Sequence, residues 1–81
     1  MMNSIKICNW DEGESVVYNI EFGDMHLLSS FNAELLSLMI KQVAVPRLVE
    51  KISVTYDVGK QEAETYLTNL QLEYRKLNLI D

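Results

Sequence analysis

Eighty-one residues, 48% hydrophobic and 23% charged, with three glycines and one proline, make one globular domain and exclude a disordered or low-complexity chain. The formal net charge of −5 comes from twelve acidic and seven basic side chains, with only Arg75-Lys76 as a basic pair, which argues against nucleic acid as a partner because its phosphates call for a basic stripe. A chain this short buries only about two thirds of the surface it exposes when unfolded, which disfavours a large enclosed active site.

The first strand is expected over Ile5 to Asn9, closed by a turn at Trp10-Asp11-Glu12-Gly13. A second strand follows from Glu14 to Ile20, where Val16, Val17, Tyr18 and Ile20 are β-branched or aromatic strand formers. Phe22-Gly23-Asp24 supplies turn chemistry, and the short apolar run from Met25 to Leu28 completes a three-stranded antiparallel meander. Ser29 then stands as the N-cap of a helix running to about Gln42, with Leu28 at N′ and Ala33 at N4 placed for a small hydrophobic staple. Phe31, Leu35, Leu38, Met39 and Val43 recur at the spacing of one apolar helix face.

Pro46 fits the first turn of a second helix, where its missing N–H costs nothing, and Leu48, Val49, Ile52 and Tyr56 give that helix an inward side. Asp57 to Gly59 breaks the pattern. A third helix from near Lys60 to Leu77 carries Ala63, Leu67, Leu70, Tyr74 and Leu77 at intervals of four, three, four and three, which is a core stripe. Tyr66 and Glu73 flank that stripe, whereas Leu72 falls nearly opposite it, as a lone exposed leucine or as a protein contact. The expected class is α+β, a winged-helix-like meander followed by three helices, in a single domain over residues 1–81.

Little in the chain points to catalysis. His26 is the only histidine and Cys8 the only thiol, so a structural zinc site lacks its ligands and no disulfide framework can form. His26 is expected as a hydrogen-bonded structural residue and Cys8 as a small buried hydrophobe. Gly13, Gly23 and Gly59 are isolated turn residues, not a phosphate loop, and no cofactor is expected. Trp10 is expected to pack at the core or rim of the sheet, and Asp11, Glu12 and Glu14 to form a solvated hairpin tip. With no signal-like start and no run of ~20 apolar residues, the expected location is cytoplasmic, with no membrane partner.

A short third strand at the margin of the meander would offer unpaired N–H and C=O groups to an incoming chain. The third helix would then add Tyr66, Asn69, Leu70 and Glu73, and the expected groove is bounded by Met25, Leu27, Tyr66 and Leu70. The pieces Gly23-Asp24, His26-Leu27-Leu28, Ala33-Glu34-Leu35-Leu36 and Leu77-Asn78-Leu79-Ile80-Asp81 carry a family resemblance. From about Ile5 to Asp81 the chain resembles the PqqD-like peptide chaperones, recognition elements for ribosomally made, modified peptides, and especially their HPr-kinase-associated subgroup. Asn78 replaces the glycine of the family's Leu-Gly-Leu ending, a mild change because Asn is the next-best residue for a left-handed conformation.

The resemblance implies a bacterial, non-catalytic adaptor that binds the leader segment of a precursor peptide between the third strand and third helix and presents it to a separate modifying enzyme. Asp24, Met25, His26, Leu27 and Leu28 on the strand, with Tyr66, Asn69, Leu70 and Glu73 on the helix, are then the peptide-binding residues. A winged-helix DNA-binding regulator is one alternative, and a small subunit docking on a kinase-like enzyme through Leu72 is another; a homodimer stays open.

Overall fold

The computed structural model describes residues 5–80 and has the order β1 (Ile5–Asp11), β2 (Glu14–Asn19), β3 (Asp24–Ser29), α1 (Ser30–Ile40), α2 (Val45–Tyr56), α3 (Lys60–Lys76). The three strands pair antiparallel in the order β1-β2-β3, so the fold is α+β, a meander followed by three helices. Met1 to Ser4 and Asp81, including the last residue of the C-terminal motif, lie outside the described residues.

Two strand boundaries differ from expectation. β1 runs on through Trp10 and Asp11 with a register irregularity between Asn9 and Asp11, which leaves Glu12-Gly13 as the turn, Gly13 at φ 81°. An extra residue in one strand is absorbed by a bulge and need not end the ladder. β2 stops at Asn19 because the chain turns there: the Gly23 N–H donates to the Asn19 carbonyl at 2.8 Å, and the Phe22 N–H donates to Asn19 Oδ1 at 3.2 Å. Buried Asn19 also donates from Nδ2 to the Asn78 carbonyl at 2.7 Å, which ties the C-terminal segment to this hairpin.

β3 passes into α1 without a spacer. Ser29 caps the helix as expected, at φ −63° and ψ 152°, its side chain accepting the Asn32 N–H at 3.1 Å. Leu28 and Ala33 meet in the same apolar cluster, as a staple requires. The single apolar face expected for α1 is too narrow a description. α1 lies between two cores: Ala33 and Leu36 join Val17, Tyr74 and Leu79 on the sheet side, while Leu35 joins Leu48, Val49, Ile52, Ala63 and Leu67 on the side of α2 and α3. A helix covered on two sides loses the one-sided pattern of a surface helix.

All three helices end in a left-handed residue that is not glycine: Gln42 (φ 64°), Asp57 (φ 55°) and Asn78 (φ 61°). After α1 the Val43 N–H reaches the Leu38 carbonyl at 3.0 Å and the Gln42 N–H reaches Met39 at 2.9 Å; after α3 the Leu79 N–H reaches Tyr74 at 2.8 Å and the Asn78 N–H reaches Arg75 at 3.1 Å. Paired bonds of this pattern satisfy carbonyls that a helix end would otherwise leave open. The first pair stops α1 at Ile40, two residues before the expected end.

The core stripe of α3 is found as expected, with Ala63, Leu67 and Tyr74 buried and Leu70 and Leu77 half-buried. Leu48, Val49 and Ile52 are buried on α2, but Tyr56 is exposed, its ring set edge-on to Phe31 at 5.3 Å between centroids. Cys8 and Trp10 depart from expectation more sharply. Cys8 is exposed because it points, level with Val16 and Leu27, to the sheet face that no described helix covers, and Trp10, which has no register partner at the bulge, is 68% exposed.

Candidate functional site

The free edge of β3 can be read group by group. The Ser30 N–H donates to the Gly13 carbonyl at 2.9 Å, in register one step beyond the Glu14–Ser29 pair. Bonded and non-bonded pairs alternate along an antiparallel ladder. Leu28, His26 and Asp24 therefore turn their backbone groups toward Ser15, Val17 and Asn19 of β2, and Met25, Leu27 and Ser29 turn theirs toward the open edge.

Side chains follow the same alternation. Asp24, His26 and Leu28 share the inner face with buried Val17, and Leu28 packs in the cluster that holds Tyr74 and, at its margin, Leu70. Met25 and Leu27 share the outer face with Tyr18 and Val16 and are 62% and 55% exposed. The groove expected between Met25, Leu27, Tyr66 and Leu70 is consequently not formed, because a strand sends neighbouring side chains to opposite faces and the helices occupy only one. What Met25 and Leu27 bring to the edge is backbone.

The four α3 positions do converge. Tyr66, Asn69, Leu70 and Glu73 are spaced three, one and three apart, one helix face, and with Asn32 they line a cleft of about 240 Å³. Its opposite wall is the first turn of α1, not a β3 side chain. Asn32 is the residue that sequence reasoning missed. Its carbonyl accepts the Tyr74 hydroxyl at 2.6 Å and its Oδ1 accepts the Tyr66 hydroxyl at 2.5 Å, so it joins α1 to α3 directly behind the end of β3. Only its place three residues after the Ser29 cap was available as a signal, and many helix-start residues share that place.

His26 also differs from expectation: its Nε2 is buried and has no hydrogen-bond partner among the described residues. A second cleft, of about 520 Å³, lies at the far end of the sheet between the β2–β3 turn, the α1–α2 connection and the C-terminal segment, lined in part by Ile5, Phe22, Ile40, Val43 and Ile80. Nothing in the sequence marked it, since its walls come from five separate stretches. Among the described residues no group of three or more His, Cys, Asp and Glu side chains could hold a metal ion, and no helix is long and apolar enough to cross a membrane.

Tyr66 sits between rings and cleft. Its centroid is 5.3 Å from that of Tyr56, and the two hydroxyls are 3.4 Å apart. Burial raises the Tyr66 pKa from 10.0 to about 12, helped by the hydrogen bond and charge repulsion from Tyr56 and opposed by the bond to Asn32. Burial also raises Tyr74, with the Tyr66 charge adding to it. A phenol whose pKa is raised on folding holds its proton more tightly in the native state. The stability it contributes is complete below pH 10.0 and is lost as the pH climbs toward about 12. Denaturant midpoints are expected to fall over that window, and Tyr66→Phe is expected to flatten the fall; a midpoint flat from pH 9 to about 12 would contradict the assignment.

No family model, curated protein or solved structure matches this chain. The geometry of the site stands as its own witness: an α+β domain with an open strand edge beside a small polar and apolar cleft.

Proposed function

We propose that the chain is a PqqD-like, non-catalytic peptide-binding adaptor, which captures the leader segment of a ribosomally made precursor peptide and presents it to a separate modifying enzyme. The observation that carries this reading is the open edge of β3, whose outward backbone groups belong to Met25, Leu27 and Ser29. A peptide pairing there lies about 4.8 Å from β3 as a fourth strand, with alternate side chains on the inner face. That face leads toward α3, where Tyr66, Asn69, Leu70 and Glu73 open their cleft. The order of elements also suits a winged-helix-like domain, and a cytoplasmic, bacterial setting belongs to the same reading.

Magnitudes decide what the peptide must bring. Ordering it costs about 1–2 kcal/mol per residue, against a net of roughly 0.5–1.5 kcal/mol for each backbone hydrogen bond. Strand pairing alone therefore roughly breaks even. One or two apolar side chains, worth about 1.5–3 kcal/mol each when fully buried, supply the surplus, and Leu70 with the Tyr66 ring offers them a surface.

The test is an affinity pull-down of the tagged protein from its native lysate, with mass spectrometry of retained peptides and proteins. A short gene-encoded peptide is expected. Retained DNA fragments would move the reading to a winged-helix regulator, against the charge of −5. A large enzyme without any peptide would move it to a docking subunit, for which Leu72, 53% exposed on α3, is the natural contact.

A further inference from the structure

We infer that the α3 cleft reads a basic side chain, so that the peptide captured on β3 carries a lysine or arginine on its inner face, two positions from an apolar residue. The inference rests on the peptide-binding reading above and names the chemistry that this site takes. In an added strand, the residues that stand opposite His26 and Leu28 point to the same inner face as these two, and Leu28 packs in the cluster whose margin holds Leu70. Successive inward side chains of the peptide are thus turned toward α3.

The cleft has two unlike ends. Tyr66 and Leu70 are half-buried, and the Tyr66 hydroxyl is spent on Asn32 at 2.5 Å, which leaves its ring for contact. Glu73 lies seven residues on from Tyr66, about 10 Å along the helix, and is exposed. It is the only charged residue among Asn32, Tyr66, Asn69, Leu70 and Glu73, and among the described residues its carboxylate has neither an ion pair nor a hydrogen bond.

A peptide lying over α3 takes water from that carboxylate. Covering it with apolar groups alone leaves a charge without a partner, which costs free energy, whereas a basic side chain lays its methylene stem on Leu70 and the Tyr66 ring and brings its charged head to Glu73. An acidic residue in the same place is repelled, and specificity is such a difference between two affinities. The surroundings lean the same way. Glu62 precedes Tyr66 by four residues and Lys76 follows Glu73 by three, both at the spacing of one helix face. Asp24 stands on the inner face of β3, and Glu34, two residues after Asn32, is already held by Lys51 at 3.0 Å. Glu62, Glu73 and Asp24, none of them ion-paired among the described residues, outweigh Lys76, and the net charge of −5 steers a cationic peptide toward the chain.

Selection of displayed random peptides on the immobilised full chain tests the inference, with Leu27→Pro and Glu73→Lys as parallel baits. Peptides kept by the parent and lost on Leu27→Pro are expected to be enriched in lysine or arginine two positions from an apolar residue and depleted of aspartate and glutamate. Glu73→Lys is expected to reverse that preference, which a merely structural role of Glu73 would not do; the side chain is exposed, and circular dichroism checks the fold. In fluorescence titration, a selected basic peptide is expected to bind up to about fivefold more weakly to Glu73→Gln, the range of an exposed ion pair, and about tenfold more weakly to Glu73→Lys. Its advantage over the same peptide with glutamate for the basic residue is expected to fade at about 1 M salt, where the Debye length is about 3 Å. Leu27-dependent peptides with no basic preference, or with one that Glu73→Lys leaves unchanged, overturn the inference and leave the peptide-binding reading standing. The absence of any Leu27-dependent peptide overturns both.

Discussion

Tyr74→Ala is expected to lower the unfolding free energy by about 3–5 kcal/mol, the usual loss when a buried aromatic ring is cut back to alanine. Against the roughly 4–12 kcal/mol that a domain of this length commands, that is from about a quarter to the whole of its stability. Tyr74 has no exposed surface, and it is the α3 residue buried in the cluster with Val17, Ala33, Leu36 and Leu79. Its hydroxyl reaches past the apolar ring contacts to the Asn32 carbonyl at 2.6 Å, so ring and hydroxyl fasten α3 to the start of α1. Tyr74→Phe separates the two contributions. It keeps the ring and is expected to lose only about 1–2 kcal/mol, for one hydrogen bond and an acceptor left without it. Urea denaturation of both variants measures the difference; equal losses would mean that the bond, and not the packing, holds this end of the helix.

Tyr74 was legible beforehand because α3 is covered on one side, so burial repeats at helical spacing and the stripe from Ala63 to Leu77 stands out. α1 was legible only in part. Its position between sheet and helices gives it two apolar sides, and a single stripe through Phe31, Leu35 and Leu38 missed Ala33 and Leu36. Helix ends divide in the same way. Asn78 tolerates a left-handed φ and signals it, whereas nothing about Gln42 announces φ 64°, which the hydrogen bonds around it impose.

The candidate site was legible where one element carries it and illegible where two must meet. Tyr66, Asn69, Leu70 and Glu73 share a face by helical spacing alone, and they do line one cleft. Which β3 side chains would join them depended on the parity of the strand. Parity is set by register with β2, and a shift of one residue exchanges Met25 and Leu27 for His26 and Leu28. Cys8 was misplaced for a related reason: an apolar residue in a strand reads as buried only if both faces of the sheet are covered, and here no described helix covers the face that Cys8 shares with Leu27.

That same parity makes Leu27→Pro the most discriminating substitution for the proposed function. The Leu27 N–H points to the open edge and its side chain to solvent, so proline there removes a group that β2 does not use. The variant is expected to stay folded, within about 1 kcal/mol of the parent, while its affinity for the captured peptide falls at least tenfold, or about 1.4 kcal/mol. Leu28→Pro, one position on, removes an N–H that faces Ser15 and wedges a ring into the ladder; it is expected to destabilise the domain by about 3 kcal/mol. Leu27→Ala keeps the N–H and trims the side chain, so it reports what the outer face adds and is expected to bind close to the parent. Calorimetric titration with the peptide, beside denaturation of each variant, orders the three. Should the folded Leu27→Pro protein bind undiminished, the peptide does not enter as a fourth strand on β3, and any binding must fall instead to the α3 cleft alone or to the far cleft beside Phe22 and Val43.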